Sequence, residues 1–194
     1  MTTFVDFVIA RGTARITRVR KAKEQYGEDY SPARDFYKRI REAIIDVHYG
    51  NQPLSSLDVV ANQAGERKVE LYKECAAGYK RWHGKKTVRA IPVRSYLWRH
   101  SDLEVNVNPE LRLSVDGTEY LVKLYFKKGN PSKSLLQAAL HLLSLHPVCS
   151  DGTTLPAILD VQAGRLKTQQ QAPAGLGALL AGDAVAFAAM WKAL

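Results

Sequence analysis

Between Asn108 and Lys128 the chain reads NPELRLSVDGTEYLVKLYFKK, two alternating runs joined by Asp116-Gly117. An Asp-Gly pair between β-rich runs favours a two-residue hairpin turn, because both central residues must take positive φ. With the turn fixed the register follows. Val115 faces Thr118, Leu113 faces Tyr120, Leu111 faces Val122 and Glu110 faces Lys123. Side chains alternate across a sheet, so Leu111, Leu113, Val115, Tyr120, Val122, Leu124 and Phe126 share one apolar face. Glu110, Arg112, Ser114, Glu119, Leu121, Lys123 and Tyr125 share the other. Solvation of that second face is the plain expectation for a half-buried antiparallel sheet.

At 194 residues and 46% hydrophobic, the chain can bury one sizeable core. It divides into an N-terminal helical region (1–84) packed on a core (85–162) of meandering strands, a helix and a last strand. A C-terminal helical stretch (163–194) closes this one compact domain. No apolar run reaches the roughly 18 residues of a membrane span. TTFVDFVIARG has an acid inside its apolar patch and its basic residue on the wrong side for a secretion signal. A cytoplasmic protein with no membrane partner is expected. Cys75 and Cys149 form neither a disulfide framework nor a metal-ligand spacing. The formal charge of +9 favours an anionic partner, DNA or RNA.

From Thr3 to about Tyr26, Phe4, Val8, Ile9, Ile16 and Val19 recur at helical intervals among Arg11, Arg15, Arg18, Arg20, Lys21 and Lys23. This is a basic amphipathic helix with a break allowed at Gly12. Ser31-Pro32 offers an N-cap with proline at the first helical position, opening a helix to Tyr49 with Phe36, Ile40, Ile44 and Val47 as its buried stripe. A longer helix is expected from about Ser55 to His83, with Gly84 as its stop.

Lys80 to Ser101 holds Lys80, Arg81, Lys85, Lys86, Arg89, Arg94 and Arg99 and no acid, interleaved with Trp82, Tyr96 and Trp98. Cations that neutralise phosphates beside rings that stack on bases are what nucleic-acid binding requires. The same aromatics would equally serve a core. Lys127, Lys128 and Lys133 extend the basic set. Leu103–Val107 alternates as a strand before the hairpin. The segment Ser132–Leu145 is apolar nearly all round, fit to pack on a sheet, and Pro156–Val161 reads as a buried strand. Gln169–Gln171 is a biased tract, and Asp183 is the expected cap of a last helix through Val185, Phe187, Ala188 and Trp191. The five histidines have no paired-ligand spacing, and Gly175-Leu-Gly177 lacks the strand and lysine of a phosphate loop.

Helix, three meandering strands, helix, strand is an α-β-β-β-α-β order, an α/β (α+β) fold with a small mixed sheet. From about Ser55 to Val161 it resembles the core of the PD-(D/E)XK, or restriction-endonuclease-like, nuclease superfamily. Pro109-Glu110 matches that family's proline–acid pair, Asp116-Gly117 its turn, and Gln137, with His141 after it, its helix position. The third-strand acid and lysine are replaced by Lys123 and Tyr125. A magnesium-dependent nuclease needs hard oxygen ligands converging on its cation, and Lys123 puts an ammonium there instead. Glu119 shares the face but sits about 13 Å along the strand. The resemblance therefore implies a nuclease-like, inactive core without a cofactor, binding nucleic acid as a recognition or adaptor component through Lys80, Arg81, Lys85, Lys86, Arg89, Arg94, Trp98, Arg99, Lys127 and Lys128.

Two alternatives stand beside it. One is an active nuclease using Mg2+, with Glu110 and Lys123 catalytic and a further acid from Glu42, Glu70 or Asp160. The other is a protein-interaction or homo-oligomeric assembly subunit, covered at the C-terminal segment or at Leu135–Leu143.

Overall fold

The computed structural model describes residues 1–27, 35–168 and 172–194. The Ser31-Pro32 helix start and the Gln169–Gln171 tract lie outside the described residues. The first basic segment is two helices, α1 (Thr2–Val8) and α2 (Ala14–Gly27), separated where Gly12 takes φ +53°. α3 spans Lys38–Tyr49. The single helix expected over Ser55–His83 is instead α4 (Ser56–Asn62) and α5 (Glu66–His83). Gly65, extended at φ −62° and ψ 157°, separates them. A glycine is a poor helix-interior residue, and Glu66 in the first turn of α5 suits the positive helix end.

The strands are β1 (Val88–Ile91), β2 (Tyr96–His100), β3 (Leu103–Val107), β4 (Leu111–Val115) and β5 (Thr118–Tyr125). After α6 (Lys133–Ser144) come β6 (Thr154–Asp160) and β7 (Arg165–Thr168), and α7 (Leu176–Ala193) ends the chain. β1-β4-β5-β6-β7 form one mixed sheet in that order, with β5 and β6 parallel and the other neighbours antiparallel. β2 and β3 pair with each other in a separate two-stranded sheet. Leaving that hairpin aside, the elements read α5-β1-β4-β5-α6-β6, an α-β-β-β-α-β order. The first strand of the sheet is thus β1, which lies within the basic segment, rather than Leu103–Val107. Val88 and Ala90 turn inward beside Val115 and Leu113, while Arg89 faces the other way.

The β4–β5 register is the one dictated by the turn, from Val115 opposite Thr118 to Leu111 opposite Val122. Leu111, Leu113, Val122 and Leu124 bury against α3 and α5 through Ile40, Ile44, Tyr72 and Tyr79. The opposite face is not solvated. Leu121 and Ile158 are buried in a second core with Phe7 of α1, Val19 of α2, Leu142 of α6 and Phe187 of α7. The helices on both sides make this a three-layer arrangement, with Ala138, Ala139, Leu140, Leu142 and Leu143 of α6 buried in it. Ser132 caps α6, its Oγ accepting from the Leu135 N–H at 3.2 Å.

α7 runs unbroken past Asp183, which is interior rather than a cap, is buried, and pairs with Arg15 of α2. By length and composition alone this helix, of mean hydropathy 1.3, is apolar enough to cross a membrane. Here Leu176, Leu180, Ala184 and Phe187 pack into the second core. On the first side, α5 approaches the β6–β7 turn so closely that a Cβ on Gly78 would collide with the carbonyl oxygens of Val161 and Gln162.

Candidate functional site

Where β4 begins, Pro109-Glu110 meets the middle of β5. Glu110 lies just before β4, and its N–H donates to the Val122 carbonyl at 3.0 Å. Its side chain turns along β5. Oε1 accepts from Lys123 Nζ at 2.5 Å and Oε2 from the Leu124 N–H at 2.8 Å. Lys123 also donates to the Asn108 carbonyl at 2.8 Å. Both side chains are largely withdrawn from water, with 12% and 11% of their surfaces exposed. The cross-strand pair expected from the hairpin register is therefore present, and both carboxylate oxygens are engaged.

The pair forms one wall of a cleft of about 620 Å3. Asp6 of α1, Asp35 and Tyr37 ahead of α3, Arg41 of α3, and Tyr125 and Lys127 beyond the pair supply much of the remaining polar lining. Arg41 donates to Asp35 at 2.5 Å, and Lys127 approaches Asp6 at 3.2 Å. Each of these three carboxylates thus faces a cation. Asp6 and Asp35 are cleft residues that sequence reasoning misses. They come from elements remote from Glu110 along the chain, and no spacing marks them.

The acids expected to assist Glu110 go elsewhere. Glu42 pairs with Lys38 at 3.8 Å, and Glu70 with Lys73 at 2.9 Å. Asp160 accepts from the Ala163 N–H at 3.1 Å in the β6–β7 turn. Gln137 and His141 do not line the cleft; on α6, Leu135 and Ala139 do. Glu119 belongs to a separate cluster. Arg112 Nη2 donates to it at 2.6 Å and the Thr154 hydroxyl at 3.1 Å. The hydrogen bond from Arg112 holds its carboxyl below the ordinary carboxylate range. Among the described residues no group of three or more His, Cys, Asp or Glu side chains is placed to share a metal ion. Since magnesium takes several free oxygen ligands, this donor set does not fit one.

The residues expected to bind nucleic acid divide by what they touch. Lys80 pairs with Asp58 at 2.6 Å, Arg81 donates to the Gln162 carbonyl at 2.9 Å, and Lys86 donates to the Trp82 carbonyl. Arg99 pairs with Glu104 at 2.7 Å across the β2–β3 hairpin. Lys85, Arg89, Arg94 and Lys128 are exposed and form no ion pair among the described residues. The aromatics are packing residues. Trp82 is buried, and Trp98 is stacked by His100 at 5.8 Å and 11° and approached by Phe4 at 5.7 Å. Tyr96 meets His146 at 5.8 Å. The cations of this segment therefore stand without an exposed ring from Trp82, Tyr96 or Trp98 to act as a base-stacking platform.

A further polar contact is half-buried His48 of α3 against Tyr79 of α5, the ring nitrogen Nε2 sharing a hydrogen bond with the phenol hydroxyl. Burial, and secondarily His83 stacked at 6.3 Å, lowers the His48 pKa to about 4. It sits between two helices and reads as a core pair. In comparisons with protein-family models, curated proteins and solved structures, nothing matches this chain.

Proposed function

We propose that this chain is a nucleic-acid-binding domain of restriction-endonuclease-like architecture that has given up cleavage and acts as a recognition or adaptor component. The carrying observation is the double engagement of Glu110, one oxygen on Lys123 and the other on the Leu124 N–H. An ammonium held between that carboxylate and the Asn108 carbonyl supplies the positive charge that a nuclease of this architecture takes from its metal. The α-β-β-β-α-β order and the position of Pro109-Glu110 at the start of the second sheet strand support the architectural half of the reading. The partner half is supported by the exposed, unpaired cations described above at Lys85, Arg89 and Arg94, around an edge strand of the sheet.

Binding of a labelled duplex measured across a salt series tests this. Affinity falls steeply with salt, and replacing Lys85, Arg89 and Arg94 by alanine flattens the log–log slope by about 2–3, close to one per lost phosphate contact. Absence of binding at low salt overturns it. So does magnesium- or manganese-dependent cleavage by the purified protein that disappears with Glu110→Gln.

One observation favours assembly as a second reading. The outward face of α7 is uncharged and exposed at Ala178, Leu179, Gly182, Val185 and Ala189, with Leu179 at 58% and Val185 at 49%. Self-association through this face predicts a dimer by light scattering that Val185→Glu dissociates.

A further inference from the structure

Beside the cations of α2 lies an aromatic recess of about 280 Å3, formed where α1, the end of α2, β3 and the last turns of α7 meet. Phe4, Tyr26, Phe187 and Trp191 provide its rings. Trp191 meets Tyr26 edge to face at 5.9 Å and 77°, and stacks with Phe187 at 6.0 Å and 24°. Tyr26 is 78% exposed. Its ring therefore contributes little to the core, yet it stands as one wall of a recess whose other rings are fixed by packing. Polar side chains sit at the rim: Glu104, Asn106 and Asp102.

Aromatic walls of this kind accept either a flat base or an organic cation, and charge separates the two. Both rim acids already have partners, Asp102 with Lys192 at 2.6 Å and Glu104 with Arg99 at 2.7 Å. On α2, Arg18, Arg20 and Lys21 are exposed and form no ion pair among the described residues, and Glu24 is the one acid among them. Arg18 is about 12 Å from Tyr26 along the helix axis and about 80° round it, while Lys21 is turned further away. Lys23 donates to the Trp191 carbonyl at 3.1 Å, bringing a further positive charge to the aromatic wall. A cation approaching the recess meets positive charge, whereas a phosphate linked to a base finds it favourable.

We infer that this recess is a subsite for one unstacked base of single-stranded nucleic acid, with the flanking phosphates on Arg18 and Lys23. The inference rests on the nucleic-acid reading above and specifies the form of its ligand. Around β1 the exposed ring is Tyr49, whose hydroxyl is tied to the Ile91 carbonyl at 2.8 Å, and no second ring stands with it to form a wall. The α2 surface has both components, and a base must leave its duplex stack to reach the rings.

The experiment compares short oligothymidylate with a duplex of the same length, at low salt, for wild type, Tyr26→Ala and Trp191→Phe. The single strand binds more tightly than the duplex and quenches tryptophan fluorescence. Trp191→Phe removes most of the quenching and weakens single-strand binding less than Tyr26→Ala does, since a smaller ring still stands in the wall. Tyr26→Ala, a change at an exposed side chain, weakens single-strand binding about tenfold, the scale of one lost base stack, and leaves duplex binding unchanged. Equal affinity for the two forms with no effect of Tyr26→Ala overturns the subsite and leaves the general reading standing. Failure of both forms to bind overturns both. Quenching by tetramethylammonium where thymidine monophosphate gives none identifies a cation cage and also overturns the subsite.

Discussion

If the Glu110–Lys123 pair is a withdrawn charge pair, removing one partner must cost far more than removing both. At the 2.5 Å separation of Lys123 Nζ and Glu110 Oε1, Coulomb's law gives about 7 kcal/mol of attraction at an effective dielectric near 20. Desolvating two largely buried ions offsets most of that, so the pair as a whole is nearly neutral to stability. Lys123→Met alone leaves a carboxylate hydrogen-bonded only by the Leu124 N–H, with the Arg41 guanidinium and the N-terminal ammonium acting on it from further off, at a cost toward the lower end of about 3–5 kcal/mol. Glu110→Gln alone strands an ammonium whose remaining acceptor is the Asn108 carbonyl, at a similar or slightly smaller cost. The double variant exchanges both charges for neutral groups of comparable shape and loses only about 1–2 kcal/mol. The coupling is therefore several kcal/mol, well above the additivity error of about 0.5 kcal/mol for independent sites. Urea denaturation of the four proteins at neutral pH measures it. In melting temperature each single variant falls by roughly 6–20 °C, at about 2–4 °C per kcal/mol for a chain of this size. Two single variants that each cost under about 1 kcal/mol and add would show both charges to be solvated. The cleft would then hold no fixed charge pair.

Gly78→Ala sets two effects of opposite sign against each other. Helix propensity alone makes alanine more stable by about 1 kcal/mol. The collision of its Cβ with the Val161 and Gln162 carbonyls requires the helix to move off the β6–β7 turn, so a net loss of about 2–3 kcal/mol in chemical denaturation is expected; any gain refutes the close approach. His48 gives a pH effect. Its pKa is lowered from 6.5 to about 4 by burial, so the unfolded chain takes up the proton more readily than the fold. Its contribution is complete above pH 6.5 and is lost as pH falls toward 4. The span is worth at most about 3 kcal/mol, and partial exposure reduces it to about 2 kcal/mol. His48→Gln should flatten the stability profile between neutral and mildly acid pH by that amount, and an unchanged profile removes His48 as the cause.

What the sequence revealed followed from local periodicity. The Asp116-Gly117 turn and the alternation of Leu111, Leu113, Tyr120, Val122 and Leu124 were enough to set a register that placed Glu110 opposite Lys123. β1 was hidden because Val88 and Ala90 face the core while Arg89 looks outward, so a four-residue edge strand reads as part of a basic loop. β7 was hidden for the same reason, with Arg165 and Lys167 alternating against Leu166. The aromatics of Lys80–Ser101 were ambiguous in kind, since a ring suited to a base is equally suited to a core. Their packing depends on distant partners: Phe4 of α1 against Trp98, and His146 against Tyr96. The cleft acids were illegible for a related reason: Asp6, Asp35 and Glu110 converge only after three separate elements have packed.

That convergence constrains where the charge of the molecule can act. In the cleft Asp6, Asp35 and Glu110 are matched by Lys127, Arg41 and Lys123, so these pairs contribute no net charge to the total of +9. The excess is carried elsewhere, on α2 and around β1 and also at exposed cations such as Arg67, Lys128, Lys133 and Arg165. A polyanion is attracted by net charge over a Debye length of about 8–10 Å, whereas internally paired groups mostly cancel at that range. Exposed cations, Arg18, Lys21, Lys85, Arg89 and Arg94 among them, therefore contribute to the long-range field, and the cleft pairs hold local geometry. It follows that neutralising the Glu110–Lys123 pair should change stability without changing the salt slope of binding, while neutralising the exposed cations should do the reverse. A variant of either kind that moved both quantities together would show that the two regions are not physically separate.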